Sequence, residues 1–165
     1  MRTFFALLVL CACAFGQDRY VMSGAATLGA SDYTITIRQP ASGGKRLEVE
    51  QITVQAVGGE VTVATERDCS SVTTSTVVTP VAANAETAPG SGPWFNVYAN
   101  SGASTCSSFT SFGSEKGWKV PDKAMIAIPS YGLYKEGSGI TRNINVRLSG
   151  NTYVALWQII VRASR

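Results

Sequence analysis

From Tyr33 onward, hydrophobic and polar positions alternate along the chain with a period of two. Tyr33-Thr34-Ile35-Thr36-Ile37-Arg38 alternates cleanly, Leu47 to Val54 nearly does, and Val61-Thr62-Val63-Ala64-Thr65 follows Gly58-Gly59. Successive side chains of an extended chain point to opposite faces, so these runs predict three strands. Ser42-Gly43-Gly44 and Gly58-Gly59-Glu60 supply the turns between them, and Gly-Gly between two alternating runs predicts a hairpin. Thr, Glu, Gln and Arg hold the outward positions. Each strand is therefore expected to bury one face only, as in an antiparallel sheet packed against a second sheet.

After Cys69, the Ser/Thr/Val run from Val72 to Val81 is broken by Pro80, which predicts an edge strand. Residues 82–123 form a loop-rich excursion whose Ala, Ser, Gly and Pro are interrupted by Trp94, Phe95, Tyr98, Phe109, Phe112 and Trp118. That aromatic load is too high for a disordered linker, and short strands are expected near Phe95–Tyr98 and Ser107–Phe112. Regular strands resume at Ala124–Ile128, Ile144–Leu148 and Tyr153–Arg162, the last two joined by a tight turn at Ser149-Gly150-Asn151. No segment sustains a helical period. About eight strands with Gly-rich connections predict an all-β fold, an antiparallel two-sheet sandwich of jelly-roll type, with a small barrel as the alternative.

Two segments stand out from this pattern. Tyr153-Val154-Ala155-Leu156-Trp157-Gln158-Ile159-Ile160-Val161 is almost wholly apolar, so both of its faces should be covered, by a second layer of the same domain or by a partner subunit. Residues 17–32 read as an amino-terminal leader. Within it, Arg19-Tyr20-Val21-Met22-Ser23 precedes a Gly-rich stretch and forms a candidate docking strand, able to add to an edge of its own domain or of a neighbour.

The first sixteen residues have the parts of an export signal: Arg2 as the positive end, Phe4 to Leu10 as the apolar stretch, and Ala14-Phe15-Gly16 as a small-x-small cleavage site. A second reading makes Cys13 a lipid-attachment site. With cleavage before Gln17 the mature product is expected outside the cytoplasm, secreted, extracellular or periplasmic, and without a membrane span. The net charge of +3 falls by one when Arg2 is removed, and no block of either sign remains. A charge so small and dispersed argues against a nucleic-acid partner.

Cys11 and Cys13 leave with the signal, so Cys69 and Cys106 are the mature thiols. In an oxidising compartment they are expected to form one structural disulfide.

The chain contains no histidine. This argues against the ordinary Ser-His-Asp and Cys-His mechanisms and against histidine-ligated metal sites. Phosphate-cradling glycine loops are also missing. Among the carboxylates, Glu48 and Glu50 lie two apart on one strand, the spacing of a glycosidase pair, but Lys45, Arg46, Leu47 and Val49 make them read as the solvated face of a half-buried strand. Glu66, Asp68 and Asp122 lack the dense oxygen pattern of a calcium loop. No cofactor is expected. Trp94, Asn96, Tyr98, Asn100, Trp118, Tyr131 and Tyr134 form a candidate ligand surface for an extracellular polysaccharide, with aromatic faces for sugar rings and amides for hydroxyls, although aromatics equally fill cores. Trp157, inside an apolar strand, is expected in the core.

The expectation is a secreted, non-catalytic structural or surface sandwich that associates with itself or with another extracellular protein. A polysaccharide-binding module is the alternative.

Overall fold

Burying the apolar half of each alternating run decides the architecture. A computed structural model describes residues 17–39, 47–69, 76–83, 93, 95–101, 106–109, 117–129, 134–135 and 142–164. Residues 1–16, which carry the expected export signal and Cys13, and the Ser42-Gly43-Gly44 turn lie outside the described residues. The strands are β1 (Gln17–Thr27), β2 (Tyr33–Gln39), β3 (Leu47–Val57), β4 (Val61–Cys69), β5 (Thr76–Val78), β6 (Val81–Ala82), β7 (Asn96–Ser101), β8 (Cys106–Phe109), β9 (Trp118–Val120), β10 (Met125–Pro129), β11 (Tyr134–Lys135), β12 (Arg142–Ser149) and β13 (Val154–Ser164). Among the described residues there is no helix.

All pairing is antiparallel and falls into two sheets. Sheet A runs β10-β3-β13-β1-β6, with β11 extending the β10 edge of β3. Sheet B runs β5-β7-β2-β12-β4-β8, with β9 sharing the outer edge of β4. β1 to β4 alternate between the sheets. The last two long strands return between them: β12 pairs with β2 and β4, and β13 with β1 and β3. That interleaving is a double-sheet jelly roll. The strands are more numerous than the eight expected, because the 17–32 segment supplies β1 and the short strands β6, β9 and β11 pair at sheet edges.

Gly58-Gly59 does not make a hairpin. β3 lies in sheet A and β4 in sheet B, and the Ser149–Asn151 turn likewise carries the chain from β12 across to β13. Turn chemistry announces a reversal, but partners distant in sequence decide which sheet each strand joins. Gly58 takes a φ of 97°, a conformation disfavoured for residues with a Cβ, and its N–H donates to Asp122 Oδ1 at 2.8 Å.

The near-alternation of β3 resolves into a bulge. Ile160 opposes Gln51 and Val161 opposes Val49, leaving Glu50 as the extra residue. Leu47, Val49, Ile52, Val54 and Ala56 all stay buried as a result.

The core lies between the sheets. From sheet A it takes Tyr20, Met22, Val49, Ile52, Trp157, Ile159 and Val161; from sheet B, Ile35, Ile37, Val63, Val97, Val146 and Leu148. Tyr20 meets Phe95 edge-on with ring centroids 5.4 Å apart, an inter-layer aromatic contact. Trp157 is buried as expected.

Candidate functional site

Among the described residues, β13 buries one of its two faces. Ala155, Trp157, Ile159, Val161 and Ala163 point into the core, so the alternate residues Val154, Leu156, Gln158, Ile160 and Arg162 point away from it. The apolar run is therefore covered on one face, and the expected second layer over its other face is not supplied by sheet B.

Cross-strand register extends that outer face in rows. Val57, Val154 and Thr27 form the first; Gln55, Leu156 and Ala25, with Met125 beside Gln55, the second. Thr53, Gln158 and Ser23, with Ala127, form the third; Gln51, Ile160 and Val21, with Val81, the fourth. None of these residues is charged. Met125 is 67% exposed, Val81 66%, Val57 43% and Leu156 43%. By strand spacing and rise, the four rows span on the order of 20 Å in each direction.

An ion-pair cluster closes one end of this face, and exposed Asp122 and Lys123 adjoin Val57 and Gly58 at the other. Glu50 Oε2 accepts from Arg19 Nε at 2.8 Å, Glu50 Oε1 accepts from Arg162 Nη2 at 3.0 Å, and Glu48 lies 3.9 Å from Arg162. The two carboxylates considered for glycoside chemistry are thus held by two guanidinium groups on an open sheet face.

β1 is central to this geometry. Arg19–Ser23 sits within a strand paired with β13 over its full length and with β6 at Tyr20 and Val21, and Tyr20 and Met22 are buried. The candidate docking strand is thereby an inner strand of its own sheet, and Gly24 to Thr27, the first part of the Gly-rich stretch that follows it, continue it.

The candidate aromatic surface is divided. Asn96 and Tyr98 lie on the outward face of β7, where Asn96 is exposed and Tyr98 half-buried. Asn100 and Tyr134 lie in strands, but their side chains, together with Trp94 and Tyr131, fall outside the described residues. Trp118 packs against the core from β9. Tyr98 and Trp118 therefore do not share one surface.

Sheet B also corrects the expectation of one buried face per strand. Thr34, Thr36 and Asn145, on the side of the sheet away from the core, are all buried.

Cys69 and Cys106 are direct register partners across β4 and β8. Their side chains lie outside the described residues, as do those of Glu66 and Asp68. No group of three metal-ligating side chains occurs among the described residues, and no described helix is long and apolar enough to cross a membrane.

At one end of the sandwich, the β1–β2, β3–β4 and β12–β13 connections enclose an open cleft of about 480 Å³. Asp32, Glu60, Thr62, Ser149, Asn151 and Tyr153 supply its side chains. Sequence reasoning missed it because these groups come from three separate turns, each unremarkable alone. Glu60 directly after Gly59, and Asp32 three residues after Gly29, were the available signal.

Comparison with protein-family models, curated proteins and solved structures gave no match to this chain.

Proposed function

We propose that the chain is an exported, non-catalytic structural or surface protein that self-associates through the outer face of sheet A. The observation carrying this reading is the uncovered side of β13, where Leu156 stands among Val57, Met125, Val154 and Ile160 with no charged side chain in the four rows around it. Exposed apolar side chains gathered on an uncharged sheet face, here interspersed with Gln51, Thr53, Gln55 and Gln158, suit a contact site on a water-exposed protein.

A second copy is the partner that suits the face. Sheet faces pack on one another about 10 Å apart, so two such surfaces can form a further layer of the same kind as the core. The charged end supports the same occupant: two arginines and two glutamates balance within it, leaving no excess of one sign to select an oppositely charged partner. Export rests on Arg2, the Phe4–Leu10 stretch and the Ala14-Phe15-Gly16 site.

Sedimentation of the mature protein over a range of concentrations tests the reading. It predicts reversible dimers or larger assemblies that Leu156→Glu returns to folded monomers. Amino-terminal sequencing of exported material should begin at Gln17.

A further inference from the structure

We propose that the cleft between the β1–β2, β3–β4 and β12–β13 connections is a binding site for a neutral saccharide. It does not depend on the self-association reading, since the cleft lies at the end of the sandwich and the apolar rows lie on its side.

The lining fits a hydroxyl-rich ligand without net charge. Asp32 and Glu60 offer carboxylate acceptors, Thr62 and Ser149 hydroxyls, Asn151 an amide, and Tyr153 an aromatic ring. Both carboxylates are already balanced: Asp32 lies 3.4 Å from Arg147 and Glu60 2.7 Å from Lys119. A cation would have to compete with those pairs, and an anion would meet the carboxylates. Sugar hydroxyls can instead donate to oxygens held in place by their cationic partners, while carbon-bound hydrogens of a pyranose ring can rest on Tyr153. At about 480 Å³ the cleft falls within the range of small-ligand sites and leaves room for one or two sugar rings.

The walls are fixed by close backbone approaches. A Cβ on Gly59 would overlap the Tyr153 ring, and one on Gly150 would lie 3.1 Å from the Glu60 carbonyl oxygen. Leu28 N–H donates to the Tyr153 carbonyl oxygen at 2.7 Å, joining the β1–β2 connection to the start of β13. The three connections are thus positioned together, as a site for a weakly held neutral ligand requires.

The test is titration of the full mature protein with neutral gluco-, xylo-, manno- and chito-oligosaccharides, with polygalacturonate as a charged control, followed by amide chemical shifts. The expected result is saturable binding of a neutral oligosaccharide, shifts confined to residues 28–32, 58–62 and 149–153, and at least tenfold weaker binding in Asp32→Asn and Glu60→Gln. Tyr98→Ala, on the outer face of sheet B, should bind as the parent does. Mapping on the unmodified protein decides the matter even if a variant fails to fold. Absence of binding across the neutral panel, preference for polygalacturonate, or shifts centred on β7 would each overturn the proposal.

Discussion

Arg19 and Arg162 stand directly opposite each other on β1 and β13, and Glu50 accepts a hydrogen bond from both. Like charges in register would repel. The β3 bulge resolves this by setting one additional carboxylate on the outer face, where it reaches both guanidinium groups. Replacing Glu50 with Gln should lower stability by about 1 kcal/mol at low ionic strength, with the loss shrinking as salt is added. Denaturant titrations at two salt concentrations check this, and a salt-independent loss would point to the bulge itself.

Gly24 leaves the room that Trp157 fills. A Cβ at this position would lie 2.7 Å from Cζ2 of the buried indole, closer than such atoms approach without displacement. Gly24→Ala is expected to cost about 1–3 kcal/mol through overpacking, and Gly24→Val more. Thermal unfolding should show the drop, and an unchanged midpoint would mean that the indole moves aside freely.

Tyr33 connects the same region to pH. The Trp157 N–H reaches toward its hydroxyl without a hydrogen bond of good geometry. Burial raises the phenol above its ordinary value of 10.0, and the Trp157 N–H lowers it part of the way back. Below pH 10 the phenol is protonated in both folded and unfolded chains, so the stability tied to it is fully present. As pH rises from about 10 through the folded value, the unfolded chain loses its proton first and stability falls. Tyr33→Phe should remove that component of the alkaline decline, as measured by denaturant titrations across the range.

Cys69 opposite Cys106 predicts a cross-strand disulfide in exported protein, since directly paired residues lie within the Cα separation such a bond requires. In the chain-entropy model, closing a loop of this length contributes about 4 kcal/mol. Thiol titration of the unfolded mature protein should find no free thiol before reduction, and reduction should lower the unfolding midpoint.

Much of the fold is legible residue by residue. Alternation in β2, β3 and β4 shows which side chains face inward, and even the irregularity at Glu50-Gln51 is visible as a break in period. Sheet membership is not. Gly58-Gly59 and Ser149-Gly150-Asn151 have the composition of hairpin turns, yet each carries the chain between layers, because the partners of β3 and β4 are β13 and β12, far away in sequence. Threonines at 34 and 36 read as solvent-facing and are buried, which local polarity cannot foresee. Of the candidate sites, the apolar run at 153–161 led to an open face, whereas the aromatic set was split by the opposite orientations of Tyr98 and Trp118.

Self-association through the outer face of sheet A is decided by sedimentation velocity of the mature protein beside Leu156→Glu and Met125→Glu. Buried on association, either glutamate would place an unpaired charge in an apolar contact. The parent should shift to dimers or larger species as concentration rises, and both variants should stay monomeric while their circular dichroism and unfolding midpoints stay close to the parent's. A parent that remains monomeric at high concentration, or assemblies unaffected by both glutamates, would contradict this mode of association.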